Sequence, residues 1–341
     1  MYPAKQISAV WVIIRMPKSL IRVPTGWYCI MGKSKHVDDS KRPLTDEQYR
    51  TLFARIDQGF ALIEKIPTPL GAQSNYRYLA VNAAFEKHTG LRDAEGKTIL
   101  ELVPEVEERI LNYYDSVVTG GRQIAFEDHI KSMDIWMAAD VFPTEVSERI
   151  IVLFTNITER KRAEHILREN EQRKDFFLRL TDALRPIEDP TTIQELVTMQ
   201  AMDFFQADRC YYCEIENGNA IIRRDAFVQY LPSVAGIYPL YAMPLFDTVI
   251  RAGRPLIVND IEKAAIIDEN LYALCLQLQV ISFIDVPVIK NGNAVGLLCV
   301  VQRKPREWTH FEISIAEELA ERAWAAVTRA KSEEWPPNSL P

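Results

Sequence analysis

The sequence predicts an α/β protein of the α+β kind. It should hold two small domains, each a mainly antiparallel sheet with flanking helices, joined by a helical linker. Three observations lead there. The 341 residues exceed what one hydrophobic core usually organises. Strand-length apolar runs fall into two groups, each with its own short helices, and neither shows the long strand–helix alternation of a doubly wound dinucleotide fold. Between the groups lies a long, charged stretch of helical composition, 158–184.

The first domain is expected over 44–157, after a poorly patterned extension, 1–43. It opens with the helical segment LTDEQYRTLFARI, whose Leu52, Phe53 and Ile56 form an apolar face. GFALIE reads as a strand. A turn-rich segment follows, then YRYLAVN as a second strand. AAFEKHTG is a short helix stopped by Gly90, and LVPEVEERILNYYDSVVTG a longer one stopped by Gly120 and Gly121. QIAFEDHI, MDIWMAADVFP and RIIVLFTNI supply three further strands.

In the linker 158–184, Ile166, Asn170, Arg173, Phe177, Leu180 and Leu184 recur at alternating spacings of four and three. That is a heptad-like stripe, weakened by Asn170 and Arg173, and it suggests pairing with a second copy of the chain. Pro186 ends the pattern.

The second domain is expected over 175–331, overlapping the linker. Its elements are helix TTIQELVTMQAMDFF, strand RCYYCEIE, a tight ENGN turn, strand AIIRRDAFV, helix PLFDTVIRAG, strand RPLIVND and helix ENLYALCLQLQ. SFIDVPVIK and AVGLLCVVQ flank Asn291-Gly292-Asn293, the strongest hairpin signal in the chain. The last helix starts at Thr309, with Glu312 at capping-box spacing. The tail 332–341 is rich in proline.

Composition narrows the function. Hydrophobic residues at 48% and charged residues at 26% fit a folded chain, and a net charge of −7 gives no footprint for nucleic acid. No run is long and apolar enough to span a bilayer, and the apolar run 9–14 is too short for a secretory signal. The five cysteines, Cys29, Cys210, Cys213, Cys275 and Cys299, are scattered and odd in number, which fits a reducing cytoplasm. Cys210 and Cys213 have C-x-x-C spacing but fall in a strand, so they point to opposite faces and read as ordinary core cysteines. No phosphate-cradling glycine loop, zinc-protease motif or serine elbow occurs, and neither a catalytic residue nor a metal site is expected.

Two resemblances sharpen this. LFARIDQGFALIE, YRYLAVNAAFEKHTGL, AEGKTILELVP and the strand end LFTNITERKRAE resemble a PAS domain of bacterial sensor proteins. Such domains commonly end in Asp-Ile-Thr before a signalling helix. Here the run is Asn156-Ile157-Thr158, which keeps hydrogen bonding at the first position and loses its charge. FFQADRCYYCEI, RAGRPLIVNDI, FIDVPVIKNGNAVGLLCV and REWTHFEISIAEELAERAWAAV resemble a GAF domain. No kinase output region is recognisable.

The resemblances imply a noncatalytic sensory or regulatory protein of signal transduction that binds a small molecule or partner and transmits through its linker helices. A homodimer is expected, with a separate histidine kinase or response regulator as the implied output. The alternatives are a noncatalytic scaffolding protein and a chromophore-binding photosensor. For the photosensor, relatives attach a tetrapyrrole through a Cys-His pair that would fall near Asn270-Leu271, whereas Cys275 lies later and is followed by Leu276. His88 and His129 do not sit where haem-bearing relatives place their ligand, and the cofactor stays unknown. The candidate cavity walls are Phe60, Leu62, Tyr78 and Trp136 in the first domain and Tyr211, Phe283, Asp285 and Cys299 in the second; core packing is the plainer reading of each. Asn156, Ile157, Thr158 and Phe177 are the candidate signal-coupling residues.

Overall fold

The computed structural model describes residues 46–334, which divide after His165 into two compact units. The expectations for 1–43 and for most of the tail lie outside the described residues.

The first unit begins with helix α1 (Asp46–Arg55), followed by β1 (Gly59–Ile66) and β2 (Asn75–Val81). Three helices intervene, α2 (Ala83–Thr89), α3 (Ile99–Leu102) and α4 (Glu108–Gly120), before β3 (Ile124–Ile130), β4 (Ile135–Pro143) and β5 (Arg149–Asn156). The strands pair antiparallel in the order β2-β1-β5-β4-β3, so the hairpin β1–β2 closes onto the last strand rather than onto the next. Alternation along the strands splits the apolar residues between two faces. Ala61, Ile63, Tyr78, Met137, Val152 and Phe154 face α2–α4, whereas Phe60, Leu62, Phe142 and Leu153 face outward and are covered by Phe53 of α1 and by Ile56 just after it.

A buried asparagine ties these pieces. Asn82 caps α2: its Oδ1 accepts from the backbone N–H of Phe85 and of Phe60, both at 2.9 Å, and its Nδ2 donates to the Gln58 carbonyl at 2.9 Å. One side chain thus satisfies a helix terminus and a strand at once. Asn82→Ala is expected to cost about 2–3 kcal/mol, the loss of a cap plus a buried N–H left unpaired. An unchanged urea midpoint would contradict this.

Helix α5 (Thr158–Leu184) starts in the first unit and ends in the second. The second unit continues with α6 (Pro190–Phe205), β6 (Arg209–Glu216), β7 (Asn219–Phe227), β8 (Gly236–Pro239), α7 (Pro244–Arg251), β9 (Leu256–Val258), α8 (Glu269–Gln277), β10 (Ser282–Lys290), β11 (Asn293–Gln302) and α9 (His310–Glu334). Its antiparallel sheet has the order β8-β7-β6-β11-β10-β9. Both tight hairpins carry positive φ at two successive residues, Asn217-Gly218 and Asn291-Gly292, as a type I′ turn requires. At the start of α9, Glu312 N–H donates to Thr309 Oγ1 at 3.2 Å and Thr309 N–H to Glu312 at 2.8 Å, the reciprocal pair that the spacing implied.

Period-two alternation again separates two faces. Cys210, Tyr212, Ile284, Val286, Leu298 and Val300 pack against α6 and α9, and the second half of α5 joins that core. This corrects the stripe expected along the linker. Phe177, Leu180 and Leu184 are buried within the second unit itself and are not free to line a seam with another copy. Arg173 is drawn the same way, its guanidinium on Glu318 of α9. The apolar spacing is real, but its C-terminal half is spent on a core in the same chain.

Candidate functional site

Each unit holds a cavity on the helix-covered face of its sheet. In the first, Ala61 and Ile63 of β1, Tyr78 of β2, Phe85 of α2, Tyr114 of α4, and Met137 and Phe154 of β4 and β5 surround about 50 Å³. Among the described residues no charged side chain lines it. Burial raises the pKa of both phenols, Tyr78 and Tyr114, so they are neutral.

Of the four wall residues expected here, Tyr78 lines the cavity and three do not. Phe60 and Leu62 are one residue out of phase in β1, so the pleat turns them to the outer core with α1. Ala61 and Ile63 stand where they were expected. Trp136, in β4, is half-buried beside the start of α5. Its N–H donates to Thr158 Oγ1 at 2.9 Å, its carbonyl accepts from Ile157 N–H at 2.8 Å, and Lys161 Nζ lies 5.4 Å from the centre of its ring.

The junction with α5 is built from the residues the sequence singled out. Asn156 Oδ1 accepts from Thr158 N–H at 3.0 Å, and Asn156 Nδ2 donates to the His88 carbonyl at the end of α2, at 3.2 Å. The second bond needs a donor, which an Asp carboxylate lacks, so the missing charge is matched by a contact only an amide makes. The basic residues of the helix start are held elsewhere: Glu127 of β3 meets Arg160 at 2.6 Å and Lys161 at 2.8 Å, and these contacts hold its carboxyl below the usual range.

The second cavity, about 60 Å³, lies between the sheet and α7–α8. Tyr211, Phe283, Asp285 and Cys299 all line it, with Cys213 and Cys275, and hydrocarbon from Ile222, Phe246, Leu271 and Leu297 completes the wall. Asp285 is the anomaly. It is buried, and among the described residues its Oδ1 has no hydrogen-bond partner. Burial pushes its carboxyl up to about 7, and the neighbouring Cys299 thiol draws it only partly back. Burial, together with the Asp285 charge, pushes the Cys275 thiol up to about 12, so the sulfur facing the cavity is a protonated thiol and a poor nucleophile.

Sequence reasoning missed Arg209, which is fully buried at the start of β6. Its two terminal nitrogens donate to the carbonyls of Leu278 at 2.9 Å and Pro232 at 2.7 Å, and its Nε lies 3.9 Å from Asp225. Asp225 in turn accepts from the Val234 N–H at 2.8 Å. Val234 and Leu278 both line the cavity, so the arginine fixes two of its walls. On the other face, buried Glu214 accepts from Gln194 and Lys331 at 2.8 Å and Arg223 at 2.9 Å; burial alone would raise its carboxyl, and Lys331 and Arg223 outweigh that and lower it.

Residues 63–162 match the family model for the PAS fold, and residues 189–327 match that for the GAF domain. No curated protein matches the chain. Among solved structures, the blue-light-absorbing form of the PixJ GAF domain of Thermosynechococcus elongatus is 21% identical, over 42% of this chain and 88% of its own, with a TM-score of 0.38. The chromophore-binding domain of a Stigmatella aurantiaca bacteriophytochrome is 14% identical over 81% of this chain and 96% of its own, with a TM-score of 0.43. The GAF domain of a Coxiella burnetii phosphoenolpyruvate-protein phosphotransferase is 14% identical over 48% and 97%, with a TM-score of 0.41. The chain therefore carries a PAS domain and a GAF domain in tandem, connected through a helix. Both are non-catalytic sensory modules. Among the described residues no His, Cys, Asp or Glu cluster is arranged to hold a metal ion, and no helix is long and apolar enough to cross a membrane.

Proposed function

We propose that this chain is a sensory protein of signal transduction, in which a small molecule in a domain cavity alters the strand ends that hold helix α5. The observation that supports the reading most directly lies at residues 136 and 137. Met137 lines the PAS cavity, while the backbone of Trp136, one residue away, is bonded on both sides to Ile157 and Thr158 at the start of α5. A ligand that displaces β4 by a fraction of an ångström must lengthen or re-aim those bonds. In a densely packed interior such a shift is passed on rather than absorbed.

A photosensor is the second reading, because Cys275 borders the GAF cavity. Against it stand the protonated thiol and the volume: an apolar cavity of about 150 Å³ holds benzene, and a linear tetrapyrrole is far larger. Native mass spectrometry of the full chain, expressed with and without a tetrapyrrole supply, separates the readings. The expected result is a noncovalent small-molecule adduct. The bare polypeptide under every condition would favour the scaffolding alternative. A covalent tetrapyrrole mass that disappears in Cys275→Ser would make the chain a photosensor.

The proposed dimer rests on the N-terminal half of α5, where Ile166 and Leu167 are exposed at 56% and 60%. A stretch of helix this short is marginal alone and gains from a second copy. Ile166→Glu is expected to shift the protein toward monomer in sedimentation velocity without changing its circular dichroism. A protein that is already monomeric at high micromolar concentration would end the idea. Partner choice, whether a separate histidine kinase or a response regulator, is part of the same proposal.

A further inference from the structure

We propose that the GAF cavity is a site for a small organic ammonium ion, whose nitrogen pairs with the carboxylate of Asp285 while its hydrocarbon lies against Phe283, Leu297 and Ile222. The inference rests on the ligand-sensing reading above and names the chemistry of that ligand.

Asp285 takes its place on β10 between Phe283 and Pro287, in a run otherwise apolar, and alternation turns it to the cavity rather than to the helices. It is 5% exposed, and Oδ1 lacks any donor among the described residues. Every element around it contributes a neutral group. Tyr211 and Cys213 come from β6, Cys299 from β11 and Cys275 from α8, and burial raises the pKa of Tyr211, Cys275 and Cys299. Tyr238 of β8 spends its hydroxyl on the Val234 carbonyl. The buried cation of this unit, Arg209, is committed to the carbonyls of Leu278 and Pro232 and to Asp225.

A buried carboxylate without a counter-ion is costly, and a core position could hold Val or Leu instead. A neutral apolar ligand would leave Oδ1 unpaired, and an anion would be repelled. An alkylammonium supplies the opposite charge and N–H donors together, and its chain suits the apolar walls. Binding then exchanges a proton for the ligand. With the unliganded carboxyl near 7, only the ionised fraction can pair, so affinity should rise with pH.

The probes are the chlorides of methyl- and ethylammonium, small enough for a cavity of about 60 Å³, and the alcohols of the same carbon skeletons, titrated calorimetrically into the full chain at pH 6 and 8. At pH 8 each ammonium is expected to bind at least about tenfold more tightly than its alcohol, the discrimination a site with an unpaired buried group exerts. The ammonium affinity should fall about tenfold at pH 6, following the ionised fraction, while the alcohol affinity stays flat. Asp285→Asn should abolish both differences. Equal binding of ammonium and alcohol, or an ammonium preference that persists in Asp285→Asn, would overturn the proposal and leave the cavity a ligand site of other chemistry. Failure of both classes to bind would overturn the ligand-sensing reading of this cavity with it. If Asp285→Asn does not fold, the pH dependence in the unaltered protein decides alone.

Discussion

Arg209→Ala is expected to destabilise the second domain by about 3–5 kcal/mol, the usual consequence of breaking a buried charged network by removing one partner. The guanidinium does three things at once. It holds the turn after α8 through Leu278, the loop after β7 through Pro232, and faces Asp225, whose side chain is 2% exposed. Its removal leaves two buried carbonyls without donors and Asp225 without its counter-charge, in a space too large to collapse around a methyl group. Burial already pulls the guanidinium below its ordinary pKa, because the charged form has given up its hydration. Arg209→Lys is expected to recover little, because one ammonium on a flexible stem cannot reach both carbonyls in the fork geometry of arginine. Guanidinium denaturation followed by far-ultraviolet circular dichroism would measure both. A midpoint that does not move in Arg209→Ala would show that the network contributes nothing to stability. Because Val234 and Leu278 line the cavity, the same substitution should also weaken binding of any cavity ligand.

Much of this fold could be read directly from the residues, for local reasons. Hairpins at Asn217-Gly218 and Asn291-Gly292 are dictated by two successive positive φ angles, which few residue pairs tolerate. Capping at Thr309 and Glu312 is equally local. The short edge strand β8 carries no comparable signal and escaped notice, since four residues give alternation too little length to register. The site divides on a similar line. In β10 and β11 the expected wall residues Phe283, Asp285 and Cys299 stand on the cavity face. In β1 the expectation fell on Phe60 and Leu62, because an apolar strand buried on both faces has no polar residue to mark its phase. Arg209 was invisible for a different reason. Its partners are backbone carbonyls at 232 and 278, and no residue type advertises a carbonyl. The stripe along α5 shows the converse limit: spacing identifies an apolar face and cannot say whether the face meets the same chain or another.

Asp285→Asn is expected to make the second domain more stable relative to the unaltered protein as pH rises. The folded carboxyl ionises at about 7, against an ordinary value of 3.8. The folded state therefore holds this proton where the unfolded chain has lost it. Protonated Asp285 is tolerated in full below the unfolded value; the stability it permits is lost progressively as pH climbs from there through 7, and is constant beyond. The full span corresponds to a penalty on the order of 4 kcal/mol, and between pH 5 and pH 8 the gap between the two proteins should widen by roughly 2–3 kcal/mol. The widening, rather than the gap at any one pH, is the diagnostic quantity. Asn carries its own cost for burying an amide, but that cost does not titrate and cancels when the two pH values are compared. Carboxylates elsewhere, such as Glu214 and Glu127, titrate in both proteins alike and cancel as well. Urea denaturation of both proteins at pH 5, 6, 7 and 8 gives the comparison directly. A gap that stays constant across the series would mean that Asp285 is already ionised and compensated in the folded state, and would remove the unpaired carboxylate on which the ammonium site depends. An ammonium ligand at saturating concentration should flatten the unaltered protein's pH dependence, since it supplies the counter-charge that the fold withholds.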